Sequence, residues 1–128
     1  MDKQLFDAGL ASRKKVLGAE YVDKSINSAD DFNREFQRIV TEYCWGEVWA
    51  KGKALSDKQR SMNNLCLLAA LNRQHEFELH FNGALNNGCT LEELKGVLHQ
   101  IAIYAGIPAG VEAFRIARKV LAERKVKT

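Results

Sequence analysis

With 128 residues, 46% of them hydrophobic and 27% charged, and a single proline, the chain has the make-up of one globular helical domain spanning residues 1–128 and not of a disordered or fibrous protein. Nineteen Lys and Arg against sixteen Asp and Glu leave a formal charge of +3, which is too small an excess to argue for a nucleic-acid partner. No apolar run approaches the ~18 residues needed to cross a bilayer, and MDKQLFDAG lacks the apolar core of a signal peptide, so a cytoplasmic protein with no membrane partner is expected.

Residues 2–17 read as a helix with Leu5, Phe6, Leu10, Val16 and Leu17 as apolar contacts, Lys3, Arg13, Lys14 and Lys15 solvated, and Gly18 as the stop. GAEYVDKSIN then sustains no period and reads as a loop. Asn27 or Ser28 caps a second helix, whose first turn holds Asp30 and Asp31 where negative charge suits the helix dipole. Phe32, Phe36, Ile39, Val40 and Tyr43 recur at spacings of three and four and predict a core-facing stripe. The helix runs into CWGEVW, in which Trp45 and Trp49 bracket Glu47. Aromatic walls would desolvate that carboxylate and make it a usable acid or base; two amphipathic anchors around a surface Glu is the plainer reading.

Ser56 with Gln59 makes a capping-box pattern, so a helix begins near Asp57, carries Arg60 early and continues through Leu71. Its MNNLCLLAALN stretch has almost no charge and should be buried along most of its surface. Asn72-Arg73-Gln74 is a break, after which residues 75–86 form a helix closed by Asn87-Gly88, a pair suited to positive φ. Thr90 with Glu93 is a second capping box, opening a helix with Leu94, Val97, Leu98, Ile101 and Ala105 inward and Gly106 at its end. Pro108 suits the start of a last helix reaching about residue 124, with Val111, Phe114, Ile116, Val120 and Leu121 as its apolar set. The basic tail from Arg118-Lys119 to Arg124-Lys125-Val126-Lys127 reads as a frayed, solvated end. No segment alternates with the two-residue period of a strand, so the fold class expected is all-α, a bundle of about six helices.

The chemistry concentrates in HEFELH. His75 and His80 are five residues apart, not the four of the H-E-x-x-H zinc motif, and at ~100° per residue they lie roughly 140° apart, so no shared metal is expected. Glu76 and His80 are four apart and share a face; a carboxylate one turn away orients an imidazole and favours its protonated form, which makes His80 a candidate acid or base, the alternative being a structural Glu/His pair. The fork of Arg60 could bind the carboxylate of an anionic ligand or be an ordinary solvated arginine. His99, among Leu98, Ile101 and Ala102, reads as an interior or interface histidine. Cys44, Cys66 and Cys89 are odd in number and have no C-x-x-C spacing, which argues against a disulfide framework or closed zinc site; Cys66 reads as a small core residue.

Taken together, WGEVW at 45–49, Arg60-Ser61, AALNR at 69–73, EFELH at 76–80, ALNNG at 84–88 and AIYAGIPA at 102–109, preceded by D-x-x-x-x-x-A-G-L-x-x-R-x-x-V-L-G at 2–18, resemble the 4-carboxymuconolactone decarboxylase family over nearly the whole chain. The resemblance implies an all-helical homo-oligomer of the alkylhydroperoxidase-like type, a trimer or hexamer, with its site near a subunit interface. It also implies a cofactor-free decarboxylation of 4-carboxymuconolactone to 3-oxoadipate enol-lactone in the protocatechuate branch of the β-ketoadipate pathway. The wider superfamily includes members with C-x-x-C-x-x-x-H on this helix; here the histidine slot is His80 but the cysteine slots hold Arg73 and Glu76, which removes the thiol pair that peroxide reduction requires.

On this reading Arg60 binds the retained carboxylate of a small anionic lactone, and His80 delivers a proton or stabilises the oxyanion. Glu76 orients His80, Glu47 is the competing acid or a partner of His80, and Trp45 and Trp49 help to dry the site. The alternatives are a paralogue acting on another small anionic lactone or keto acid and, from a different class, a non-catalytic helical assembly protein.

Overall fold

Seven α-helices and one π-helical segment make up all the regular structure of the computed structural model, which describes residues 1–128. The all-α expectation holds, with one helix more than anticipated. The chain forms two compact units, Met1–Asp57 and Lys58–Thr128. None of the helices is long and apolar enough to cross a membrane.

In the first unit, α1 (Lys3–Leu17) starts at Asp2, whose side chain accepts from Leu5 N at 3.0 Å. It stops at Gly18, which has a φ of +91°. The same glycine opens α2 (Ala19–Asn27), which corrects the reading of this stretch as a loop. The helix anchors mainly through the fully buried Val22, with the half-buried Ile26 one turn on, and two apolar positions are too few to register as a period. Asn27 and Ser28 therefore end a helix and do not cap the next one. The cap lies later, where Asp30 Oδ1 accepts from Asn33 N at 3.3 Å and Asn33 Oδ1 accepts from Asp30 N at 2.9 Å, and α3 (Arg34–Ile39) follows.

Without a break, α3 widens into the π-helical segment Val40–Ala50. Two glycines let α1 cross this segment backbone to backbone. A Cβ on Gly9 would lie 2.0 Å from the Thr41 carbonyl oxygen, and one on Gly46 would lie 2.6 Å from the Leu5 carbonyl oxygen. Beside the crossing Arg13 is only 5% exposed, a correction to its expected solvation. Its Nη1 donates to Thr41 Oγ1 and to Gln37 Oε1, both at 3.1 Å, and the Thr41 hydroxyl donates to the Gln37 carbonyl at 2.8 Å. The inward face is polar at Gln37 and Thr41 because a buried guanidinium needs acceptors. The expected core stripe consequently turns outward: Phe32 is 97% exposed, and Phe36, Ile39 and Tyr43 are exposed too. Further along, residues four apart come nearly into line on the wider turn of a π-helix, and Trp45 and Trp49 stack at 4.7 Å between ring centroids, buried with Val16.

The second unit comprises the rest of α4 (Asp57–Ala70), then α5 (Gln74–Asn86), α6 (Leu91–Tyr104) and α7 (Ile107–Glu123). Three of its helices end alike. At Asn72, Gly88 and Lys125 the backbone turns left-handed with φ of +58°, +85° and +57°. The next N–H reaches back to the carbonyl of Leu68, Ala84 and Leu121 respectively, at 2.8–3.0 Å, the paired bonds of a Schellman stop. The predicted Thr90/Glu93 capping box has both of its bonds, and Pro108 sits in the first turn of α7 behind Gly106 at φ +112°. The core gathers Leu65, Phe77, Phe81, Leu94, Leu98, Ile101, Ile116 and Val120.

Three expectations for this unit need correction. Only Ser61 and Leu65 of α4 are fully buried, while Leu67 and Leu71 are exposed, so this helix buries one stripe and not most of its surface. Ala105 and Val111 also face outward. The basic tail is not merely solvated: Lys119 Nζ pairs with Glu78 at 2.8 Å, Arg124 donates to the Asn82 and Asn86 side chains at 3.2 and 3.0 Å, and Val126 packs on the core.

The glycines give a paired test. Gly9→Ala should lower the unfolding free energy by roughly 3 kcal/mol or more, because the added methyl meets backbone and not a movable side chain. Gly96→Ala, inside α6 with nothing within 4 Å of its Cβ, should raise it by about 0.5–1 kcal/mol. Urea denaturation of both variants checks the pair.

Candidate active site

Helix α5 carries the chemistry the sequence singled out. Phe77 and Phe81 bury one side of it, their rings stacked at 6.2 Å, while His80 lies about 60° and 100° round the helix from them and is half-buried. Glu76, one turn earlier, is exposed. Burial is the larger influence on the imidazole and pushes its pKa below the ordinary value near 6.5; the negative charge of Glu76 pulls it back only in part. The expectation that Glu76 favours the protonated form is right in sign, but desolvation outweighs it. His75 is exposed, on another face of the helix.

The end of this face is tied to α4. Asn87 Nδ2 donates to the Ser61 hydroxyl at 2.9 Å, and Ser61 is fully buried. The sequence alone marks Asn87 as a helix stop and does not single out Ser61, although a small hydroxyl one position past Arg60 is a signal for it. Arg60 itself is half-buried on α4. Nearby, Lys58 pairs with Glu93 at 2.7 Å and holds the start of α4 to the start of α6.

Glu47, Trp45 and Trp49 belong to the first unit and differ from expectation. The tryptophans stack on each other and are both 4% exposed, while Glu47 projects from the exposed side and pairs with Lys51 at 3.4 Å. The aromatic enclosure that would have desolvated this carboxylate is absent: residues two apart on a helix point to different sides, so neighbours in sequence on both flanks are not walls in space.

Three cavities in the second unit, of about 370, 350 and 270 Å³, have neither Arg60, Glu76 nor His80 among their walls. Burial raises the thiol pKa of Cys44, Cys66 and Cys89 above the ordinary value, so none is set up as a nucleophilic thiolate. No three His, Cys, Asp or Glu side chains gather closely enough to hold a metal ion.

Residues 34–119 match the profile described as the carboxymuconolactone decarboxylase family. The chain is 37% identical over 119 residues to a 4-carboxymuconolactone decarboxylase of Acinetobacter baylyi, covering 93% of this chain and 88% of that protein. It is 38% identical over 121 residues to the nitrosuccinic acid decarboxylase npaB of Metarhizium robertsii, covering 94% and 84%. A 4-carboxymuconolactone decarboxylase sequence from Pseudomonas putida is 41% identical over 46 residues, 36% of this chain and 96% of that sequence.

The environment of His80 has a consequence for stability. An imidazole whose pKa is lower when folded takes up a proton more readily in the unfolded chain, so its contribution is intact above about pH 6.5 and declines as the pH falls toward the folded pKa. Urea midpoints measured between about pH 7.5 and about pH 5 should therefore fall further for the parent than for His80→Gln.

Proposed function

The chain belongs to the carboxymuconolactone decarboxylase family, and from that premise we propose that it is a cofactor-independent carboxy-lyase whose substrate is 4-carboxymuconolactone. The observation that carries this reading is the likeness, over nearly the full length of both proteins, to a relative of that name. The position of His80 on α5 supplies the chemistry.

In 4-carboxymuconolactone the departing carboxylate sits on the ring carbon next to the lactone oxygen. As the bond to CO2 breaks, its electrons move through the ring double bond into the lactone carbonyl, so the substrate is its own electron sink. The protein has to hold the retained carboxylate, stabilise charge on the carbonyl oxygen and place one proton on the carbon beside that carbonyl. Arg60 holds the carboxylate through its planar fork. His80 is the acid. It is largely neutral near pH 7 in the free protein, and the negative charges of the bound substrate, added to that of Glu76, oppose the effect of burial and draw a proton from solvent onto the ring. The imidazolium then protonates the carbon. Each turnover consumes one proton and releases one CO2. Glu47 is solvated and paired with Lys51, which disfavours it as the acid.

The likeness to a nitrosuccinic acid decarboxylase favours a second reading. A nitro group beside the departing carboxylate is an equivalent sink, and nitrosuccinate likewise retains a second carboxylate. The same arginine and imidazole serve both substrates.

Mixing the purified protein with 4-carboxymuconolactone should release CO2 and enol-lactone, with kcat/KM at least about tenfold above that for nitrosuccinate; the reverse order selects the second reading. His80→Gln should cost about 10²–10³ in kcat/KM, Arg60→Gln should act mainly through KM, and Glu47→Gln should stay within about threefold. In the parent, kcat/KM should fall as the pH rises from about 5.5 to 8, while kcat holds to higher pH because the bound substrate raises the pKa. A His80→Gln variant that stays folded and turns over within about threefold of the parent would sink the assignment.

We also propose that the chain works as a homo-oligomer. Phe32, Phe36, Ile39 and Tyr43 on one unit, and Ile103, Tyr104, Ile107 and Val111 on the other, are large apolar residues left facing outward. Light scattering should give three or six times the 14.4 kDa chain mass, and Phe36→Glu should lower it. A monomeric parent would contradict the proposal.

A further inference from the structure

The largest of the three cavities, about 370 Å³, lies in the second unit between the end of α4, the turn through Asn72, the start of α5 and the start of α7. Its volume falls in the range of pockets that take small organic molecules. Phe77, Ala113 and Ile116, each at most 3% exposed, form a rigid apolar floor. The charged side chains on its walls are those of Arg73 and Glu112.

These two charges are not equivalent. The Glu112 carboxylate is held by Arg115, with Nε donating at 2.9 Å and Nη2 in closer contact, and this pairing pulls the carboxyl pKa down. Its charge is already answered from outside the cavity. Asn72 and Gln74, the neighbours of Arg73, satisfy each other through a bond from Gln74 Nε2 to Asn72 Oδ1 at 3.3 Å. The Arg73 guanidinium makes no hydrogen bond or ion pair within the chain. Its backbone, in contrast, is pinned: its N–H closes the Schellman stop on the Leu68 carbonyl and its own carbonyl accepts from Phe77 N, each at 2.8 Å. A fixed Cα thus carries an exposed planar cation, unpaired within the chain, at the wall of a cavity with an apolar floor.

We propose that this cavity binds a small monocarboxylate with a planar, unsaturated apolar body, and that Arg73 is the residue that takes the carboxylate. The guanidinium fork matches a carboxylate bidentately, and the floor offers dispersion and desolvation to the rest of the molecule. A second carboxylate on the ligand would share the cavity with the Glu112 carboxylate, and that like-charge repulsion selects monoacids over diacids. The inference is independent of whether His80 decarboxylates anything.

Benzoate is the probe, with benzamide as its neutral isostere and phthalate as the diacid. Titrated into the full 15N-labelled chain, benzoate should saturate at one per chain and shift the backbone amides of Ala69, Arg73, Phe77, Ala109 and Ala113 most. Arg73→Gln, an exposed position whose loss leaves the core intact, should weaken binding by at least about tenfold, and Arg73→Lys by less. Benzamide and phthalate should bind at least about tenfold more weakly than benzoate. Arg60→Gln and His80→Gln, both impaired in turnover on the reading above, should bind benzoate within about twofold of the parent, so a failed decarboxylase assay and a failed binding site give separate results. Absence of benzoate binding at millimolar concentration, shifts centred elsewhere, or equal loss on Arg60→Gln would each overturn the proposal.

Discussion

The rotation of α5 about its own axis decides what this chain can do, and the packing of α5 against α7 sets that rotation. Phe77 and Phe81 drive one side of the helix into the core beside Ile116 and Val120. Around the outside, Glu78 meets Lys119 while Asn82 and Asn86 meet Arg124. Exposed polar contacts of this kind contribute little singly, but together they tie one flank of the helix to α7 beside the buried aromatic pair. With α5 so fixed, His80 has a single outlook, and the Asn87–Ser61 bond holds the far end of the same face. The chemistry proposed for the chain depends on the half-buried imidazole that this face carries.

The first unit solves a different problem, that of bringing two backbones together around a buried cation. Gly9 and Gly46 remove the side chains that would keep α1 away from the π-helical segment, and Arg13 then lies where water does not reach. Burial pulls the guanidinium pKa down, though not enough to discharge a group of this kind, so Thr41 and Gln37 must supply acceptors. The wide turn between residues 40 and 50 then aligns the two tryptophans. Glycine, arginine, threonine and tryptophan here form a single arrangement, each making the next possible.

Local signals were legible wherever a backbone bond depended on one residue type. The Thr90/Glu93 box, the stops at Gly18, Gly88 and Gly106, and the place of Pro108 follow from rules that need no tertiary context. Failures came where the fold outside the helix chose the inward face. Phe32, Phe36 and Ile39 satisfy a helical period, but a polar requirement set by Arg13, two helices earlier, claims the interior. Glu47 was assigned walls by its sequence neighbours, and those neighbours turned to each other. For the candidate site, the helix and the Glu76/His80 face were readable, whereas the balance between burial and charge at His80 was not, because desolvation is set by how the folded chain packs around the ring.

The backbone contact at Gly9 also limits how the N-terminal helix can change length. One residue added between Gly9 and Arg13 would swing the guanidinium by about 100° away from Thr41, and one added before Leu5 would leave everything downstream in phase. Insertions and deletions across the middle of α1 are therefore far more damaging than ordinary point changes there, and the tolerant place for a tag or fusion is ahead of Asp2.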